Sequence, residues 1–388
     1  MQTDLAVPPE RKPLAILCVL AVLALLWATM WPFQPHPHND VAWLANANGV
    51  RFEGSGIVLS DGALQPAAGA DAGDACAIEI YLRPVALLDF GNFLTFSSDE
   101  NPDAIFLSQW HESLLIYRST PARWHAPRLA LLEVTHILHP GQLVLATISS
   151  GADGTTVYID GKFAKREPQF RIRRNELYRQ VVLGNSSSNF SVWQGEIHGL
   201  AIYDERVSLA DAAAHYAEWS GTSRVSLGED RSHLLARYDF HERGGNAIHS
   251  DVASAPALTI PPHFFMPRKQ QLTSVGRQFE WTASYRYDVI ENIIGFMPLG
   301  FVLCGFFVLS RPRGQAILIS TLCGGLLSFS IEFLQYYIPK RDSGWTDVIT
   351  NTTGTLLGAL IAHPELVRAA LRLVFLIPPK RNSEANQT

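Results

Sequence analysis

Asp288-Val289-Ile290-Glu291-Asn292-Ile293-Ile294-Gly295-Phe296-Met297-Pro298-Leu299-Gly300 opens the C-terminal part of the chain. It leads an apolar run, Val289–Leu309, with a carboxylate and an amide four residues apart at its start. A helix of about 20 residues crosses the hydrocarbon core of a bilayer, so this run is long enough to span one. Two further runs follow, Gln315–Ile338 and the shorter Trp345–His363. A fourth, Leu14–Trp31, lies near the N-terminus between Arg11-Lys12 and Pro32. These runs predict a bundle of about four transmembrane helices.

A cleaved signal peptide would want a core of about 7–15 residues and a small-x-small cleavage site. The first run is longer and ends in Trp27-Ala28-Thr29-Met30-Trp31, so it reads as an uncleaved anchor. Arg11 and Lys12 precede this anchor, and Arg311 and Arg313 separate the second and third runs. Positively charged flanks stay in the cytoplasm. One helix leaving and one returning therefore puts residues 32 to about 288 outside the membrane, with both chain ends inside. Trp27, Trp31, Trp281, Tyr336, Tyr337 and Trp345 then fall at the outer interface, where aromatic rings prefer to sit. Residues 365–377 are too short to span. Arg368 and Arg372 share one face of that segment, which reads as a cytoplasmic interfacial helix beside Lys380 and Arg381.

The middle of the chain has another character. Of 388 residues, 47% are hydrophobic and 17% charged, yet mean hydropathy is only +0.07. A polar, strand-like middle between apolar ends accounts for that average. The net charge of −5 and the lack of clustered Lys and Arg argue against nucleic acid as a partner. Of the four cysteines only Cys76 lies outside an apolar run, so neither a disulfide framework nor a Cys-x-x-Cys metal site is available there. The unit must rest on its own core, which about 200 residues can supply.

Residues 1–13 are read as a cytoplasmic N-terminus and 14–31 as the first helix. Residues 32–39 form a Pro-rich spacer, 40–262 a β-sandwich and 263–287 a connector. Residues 288–363 are the membrane domain, with helices at 289–309, 315–338 and 345–363, and 364–388 an amphipathic helix and tail. Within the middle, Ala77–Leu82, Leu114–Arg118, Leu143–Ile148 and Val181–Leu183 alternate with period two. In Val157-Tyr158-Ile159-Asp160-Gly161-Lys162-Phe163-Ala164, Asp-Gly marks a tight hairpin turn. Ser208 and Asp211 form a capping box for a helix running to about Trp219. Late strands are expected at Leu235–Phe240 and Leu258–Ile260.

Asn48-Gly49-Val50-Arg51-Phe52, Tyr158-Ile159-Asp160-Gly161, Leu183-Gly184-Asn185 and Gly195-Glu196-Ile197-His198-Gly199-Leu200-Ala201-Ile202-Tyr203 occur in that order. A helix ending in Tyr216 and Trp219 closes the series. Together they resemble the laminin-G / concanavalin A-like lectin-glucanase family over about residues 40–220. The resemblance implies an all-β jelly-roll sandwich and a glycan partner, sometimes held through calcium. Asp99 and Asp103 are the carboxylates that would take calcium, a solvated loop being the alternative. Trp110, Trp124 and Trp193 would form a sugar platform unless they are core residues. No Glu-x-Asp-x-x-Glu pattern offers the paired carboxylates of a glycosidase. His136, His139, His215 and His249 lack ligand spacing and read as ordinary residues.

Polar residues recur inside the apolar runs, where they are costly and usually functional. Asp288 and Asn292 are four apart, Glu332 and Gln335 three apart, Asp347 and Asn351 four apart. In the topology above all six sit in the outer half of the membrane. Arg341 lies in the loop between the last two runs, where a carboxylate partner is expected. Gly354-Thr355-Leu356-Leu357-Gly358 offers a close-packing face, with Gly324 and Gly325 on the neighbouring helix.

The series Asp288-x3-Asn292-x3-Phe296-x-Pro298-Leu299-Gly300, Glu332-x2-Gln335-x5-Arg341 and Asp347-Val348-x2-Asn351-x2-Gly354-x3-Gly358 is similar to the VanZ-like family signature in order and spacing. It covers residues 288–362, with 14–31 as the family's first helix and the sandwich as an insertion. The resemblance implies a cell-envelope membrane domain, not a reaction. Three functions stay open. One is an envelope protein binding a surface glycan and a membrane lipid or lipid-linked glycan. Asp288, Asn292, Glu332, Gln335, Arg341, Asp347 and Asn351 would form its ligand site, with Arg341 as phosphate or carboxylate contact. Another is a membrane enzyme using Glu332 and Asp347 as acid/base pair. The third is a scaffold whose polar cluster only holds the bundle. No resident cofactor is called for, and oligomeric state is not legible.

Overall fold

The structure is a computed structural model; it describes residues 10–66, 73–121, 127–221, 233–279 and 282–375. Trp124, Trp281, Lys380 and Arg381 lie outside those residues. The chain divides into two compact units, residues 35–269 and residues 1–34 with 270–388.

The first unit is a sandwich of two antiparallel sheets. Its strands in chain order are β1 (Val41–Trp43), β2 (Val50–Phe52), β3 (Val58–Ala63), β4 (Cys76–Pro84), β5 (Gly91–Ser97), β6 (Ile105–Trp110), β7 (Ser113–Thr120) and β8 (Arg128–Val134). Then come β9 (Val144–Gly151), β10 (Gly154–Ile159), β11 (Lys162–Glu167), β12 (Gln180–Leu183), β13 (Gly195–Tyr203), β14 (Leu234–Tyr238), β15 (Ala247–Ile248) and β16 (Leu258–Thr259). One sheet runs β1-β2-β13-β4-β9-β10-β11, with β14 also on β13; the other runs β15-β16-β3-β12-β5-β6-β7-β8.

Side chains alternate across a strand, so one face of each sheet supplies the core. On β4 the inward set is Cys76, Ile78, Ile80 and Leu82; Phe93, Ile116, Val181 and Trp193 meet it from elsewhere in the sandwich. Burial pushes the Cys76 thiol up to about 12. The hairpin at Asp160-Gly161 closes β10 onto β11 with positive φ at both residues, 51° and 73°. That is the geometry whose twist suits paired strands. The helix α2 (Leu209–Trp219) begins at its capping box, where Ser208 Oγ accepts from Asp211 N at 3.3 Å. It lies over the far face of the first sheet, burying Ala212 among Ala77, Tyr158, Ala201, Tyr203 and Val207.

The second unit is helical. Its longer helices are α1 (Arg11–Met30), α4 (Ala283–Phe307), α5 (Arg313–Gln335) and α6 (Trp345–Ile361). The short α3 (Val275–Gln278) precedes α4, and α7 (Pro364–Phe375) follows α6. Among the described residues α1, α4 and α5 are long and apolar enough to cross a membrane. Helix α6 has 17 residues. Helix α4 starts six residues before the predicted Val289, because Thr282 caps it by accepting from Tyr285 N at 3.2 Å. The outward faces are apolar: Ile16, Leu20, Leu23 and Trp27 on α1, and Leu318, Leu322 and Leu326 on α5, are exposed. Water would disfavour such faces and acyl chains would not.

Two apolar clusters fill the bundle. At one end Leu14, Cys304, Ala316, Ala359, Val367 and Leu371 pack together. Further along, Phe296, Leu299 and Ile331 meet the inner side of α1. Helices α4 and α6 make the most extensive contact, and it is backbone to backbone. A Cβ on Gly354 would lie 2.2 Å from the Ile293 carbonyl oxygen, and one on Gly358 1.9 Å from that of Met297. A Cβ on Gly300 would stand 1.9 Å from the Thr355 carbonyl oxygen.

Candidate functional site

Close approach of α4 and α6 is what brings the polar residues of the bundle together. Asn292 Nδ2 donates to Asp347 Oδ1 at 2.8 Å. One turn further along α6, Asn351 Nδ2 donates to Ser328 Oγ on α5 at 3.0 Å. Glu332, 2% exposed, accepts from Gly344 N at 2.8 Å through Oε2. Its backbone carbonyl accepts from Ser343 Oγ at 2.8 Å. Glu332 therefore serves the N-terminus of α6, whose first turn also holds Asp347. Carboxylates suit that position because unpaired N–H groups and the helix dipole favour negative charge.

Asp288, exposed at the start of α4, is close enough to bear electrostatically on Asp347. Gln335 and Arg341 go elsewhere. Gln335 Nε2 donates to the Thr29 carbonyl at 3.0 Å and Arg341 Nη2 to the Trp31 carbonyl at 2.8 Å. Among the described residues Arg341 meets no carboxylate, so the partner expected for it is replaced by the C-terminal end of α1. A helix end leaves carbonyls unpaired, and a guanidinium in the neighbouring loop satisfies one. The seam thus holds Asn292, Glu332, Asp347 and Asn351, with Asp288 at its edge and Arg341 turned to α1.

Sequence reasoning missed several partners. Gln278 Oε1 accepts from Thr346 N at 3.1 Å, so α3 closes the N-terminus of α6. Ser328 and Ser343 carry two of the bonds above; Ser328, a serine inside an apolar run, was the available signal for one of them. Asn351 Oδ1 and Thr346 Oγ1 are buried with no hydrogen-bond partner among the described residues.

Two of the buried carboxylates of the sandwich, Glu79 and Glu196, lie on the far face of the first sheet. Glu79 is 0% exposed. It accepts from Thr147 Oγ1 at 3.0 Å, Tyr203 OH at 3.0 Å, Trp219 Nε1 at 3.4 Å and pairs with His215 Nδ1 at 2.8 Å. Burial disfavours the charged form of His215, but the bond to Glu79 and its charge outweigh this and raise the imidazole pKa. The Tyr203 hydroxyl is raised as well, by burial first and then by Glu79. Glu196 lies between Arg51 and Arg83 in register across β2, β13 and β4. It accepts from Arg51 Nη2 at 2.7 Å and Arg83 Nη1 at 3.0 Å, and lies 3.1 Å from His198 Nε2. Burial would raise the Glu196 carboxyl; the bonds from Arg51 and His198 and the charge of Arg83 reverse that and lower it.

The His215 shift gives a pH dependence. A folded pKa above the ordinary 6.5 stabilises the fold fully below that value and is lost as pH rises through the folded one. The difference in thermal midpoint between wild type and His215→Asn should therefore shrink from pH 6 upward. A constant difference across that range would refute the assignment.

The other sequence candidates take separate places. Asp99 pairs with Arg268 Nε at 2.7 Å. Asp103 accepts from Ser186 Oγ at 2.8 Å and Ser187 N at 3.0 Å, and also binds Ser188 Oγ. The structure thus gives each carboxylate its own protein partners. Trp193 is 0% exposed and donates to Gln109 Oε1 at 2.8 Å, which makes it a core residue; Trp110 is exposed. His136 and His139 both approach Glu112, at 3.0 and 3.4 Å.

Residues 245–368 match the family model described as VanZ/LLP1. This part of the chain is a VanZ-like domain. The match starts inside the sandwich, before β15 and β16, and covers less than half of the chain. No curated protein sequence matches the chain. Among solved structures, the receptor-binding domain of botulinum neurotoxin type G is similar at 11% identity and a TM-score of 0.36, over 47% of this chain and 45% of that one. The SAP-like pentraxin of Limulus polyphemus is similar at 12% identity and a TM-score of 0.34, over 58% and 93%. The chain spans less than half the length of the first neurotoxin chains it matches, 45% in each.

Proposed function

We propose that the protein is a multi-pass envelope membrane protein that holds a lipid or lipid-linked head group in the polar seam of its VanZ-like domain. The carrying observation is the meeting of Asn292, Glu332, Asp347 and Asn351 from three separate helices at one level. Intramembrane carboxylates are expensive, and a purely apolar seam would hold the helices at less cost. The sandwich is then an extracytoplasmic glycan-binding domain, as its two-sheet architecture and the lectin-like order of its motifs support.

Internal placement in the bundle supports the topology. The starts of α1 and α7 and the α4–α5 turn meet at one end, where Arg11, Lys12, Arg311, Arg313 and Arg368 cluster. Glu332, Asp347 and the α5–α6 loop lie at the other end, beside Thr29 and Trp31. Basic flanks at one end of the bundle and the polar seam at the other support an outer-leaflet position for the seam.

Two measurements test this. A membrane-impermeant protease added to intact cells should remove the sandwich while sparing α7. Mass spectrometry of lipids from gently solubilised protein should show one envelope lipid enriched in wild type and lost from Asp347→Asn. Equal lipid content in a folded variant would sink the ligand-site reading. Excess lipid supplied to wild type would show chemical change if Glu332 and Asp347 were an acid/base pair.

A further inference from the structure

We propose that the open half of the second sheet's outer face docks on a lipid surface; this does not depend on what the seam binds. The outer face of an antiparallel sheet is ordinarily polar where it meets water. On β6, β7 and β8 it is apolar. Ile105, Leu107, Ile116 and Leu132 point into the core, so their neighbours Phe106, Tyr117 and Leu131 point out. These three stand side by side in register across the strands, and the rings of Phe106 and Tyr117 stack with centroids 4.7 Å apart. Phe90 meets Tyr117 edge-on at 6.3 Å, and Trp110 and Leu129 extend the face along β6 and β8. Leu129, Leu131, Trp110 and Phe90 are 51, 46, 45 and 43% exposed. Single apolar residues on a surface need no explanation, but a contiguous set marks a surface that meets something other than water.

The other half of the same face points to the partner. Val182 faces out between the core residues Val181 and Leu183, and it packs with Ile57, Leu59, Phe264 and Met266. The segment that carries Phe264 and Met266 across this face continues to Arg268, whose N–H donates to the Ser187 carbonyl at 2.8 Å. Residues 270–272 alone then separate the last residue of the sandwich unit, Lys269, from Thr273, whose N–H donates to the Ser343 carbonyl in the α5–α6 loop at 2.9 Å. At the other tether, residues 31–37 join the end of α1 at Met30 to His38, which bridges to His263. Fully extended, these tethers reach about 15 Å and about 30 Å. Both lead to helices long enough and apolar enough to cross a membrane. A lipid surface is therefore the partner that the tethers keep at high effective concentration. Trp110 suits that partner, because an indole sits with its ring among acyl chains and its N–H among head groups. A sandwich docked in this way turns the opposite layer, the first sheet with α2, away from the membrane.

The test uses full-length protein in nanodiscs of phosphatidylcholine and phosphatidylglycerol. The photoreactive p-benzoylphenylalanine replaces Leu131, Trp110 or Phe163, one at a time. Phe163 is the control: it is 60% exposed, and it lies opposite Tyr158 on the side of the first sheet that carries α2. After irradiation, mass spectrometry should find phospholipid adducts at positions 131 and 110 at least tenfold above those at 163. Two reporting positions on separate strands guard against one substitution disturbing the fold. Similar adduct yields at all three positions, or none at 131 and 110, would overturn the proposal. Chain-to-chain crosslinks at 131 in place of lipid adducts would also overturn it and give the face to a second copy of the protein.

Discussion

Gly358→Ala should leave little folded protein. The added methyl would stand 1.9 Å from the Met297 carbonyl oxygen, and that atom belongs to the backbone of α4. A flexible side chain would move aside at small cost; a helix backbone moves only with the helix. Overpacking in a close-packed interior usually costs about 1–3 kcal/mol and more where nothing yields. We expect a loss above about 3 kcal/mol, enough to exhaust much of a typical margin of stability. Separating α4 from α6 would also break the Asn292–Asp347 bond, so lipid retention should fall with stability. Gly295→Ala, on the same helix α4, is the control, since nothing lies within 4 Å of its added carbon. The measurements are the monodisperse fraction after detergent extraction and the thermal midpoint. If Gly358→Ala and Gly295→Ala behave alike, the backbone contact between α4 and α6 is wrong.

Glu79→Leu should be the most damaging single change in the sandwich. It removes the common acceptor of Thr147, Tyr203, Trp219 and His215, three of them buried and Trp219 half-buried. Breaking one partner of a buried charged pair costs about 3–5 kcal/mol. For a unit of this size that lowers the thermal midpoint by roughly 6–20 °C. Glu79→Gln retains a carbonyl acceptor and should fall between the two. It should also abolish the pH dependence assigned to His215, because an amide carries no charge to hold the imidazolium. A Glu79→Leu midpoint within a degree or two of wild type would show that α2 is held by its apolar contacts alone.

The two variants probe different kinds of legibility. The Gly-x-x-x-Gly spacing at Gly354 and Gly358 is visible as a pattern, and so is the hairpin at Asp160-Gly161, since each depends on a few adjacent residues. Capping at Ser208 is equally local. Helix ends were less legible: α4 begins at Ala283, where Thr282 rather than hydropathy starts the helix. Glu79 shows the limit. Alternation along β4 places it away from the core, with Tyr81, as an outward polar residue should be. Only the docking of α2 makes that outward face an interior one, and its partners come from three other elements, 68 to 140 residues along the chain. Arg51 and Arg83 likewise meet Glu196 because β2 and β4 flank β13, a neighbourhood no local pattern encodes.

The same division runs through the candidate site. By itself the sequence determined that carboxylates and amides lie at one level of three apolar helices, because hydropathy and helical spacing are properties of short stretches. It also determined the sandwich, since alternation and turn residues act locally. Which polar groups touch was decided only in the tertiary structure. Arg341 was expected to find a carboxylate and is held instead by the carbonyl of Trp31, 310 residues away. Asn351 bonds Ser328 and keeps its oxygen unpaired. Those outcomes depend on how closely the helix backbones approach, and glycines meeting carbonyl oxygens set that distance through packing, which no single stretch of chain contains.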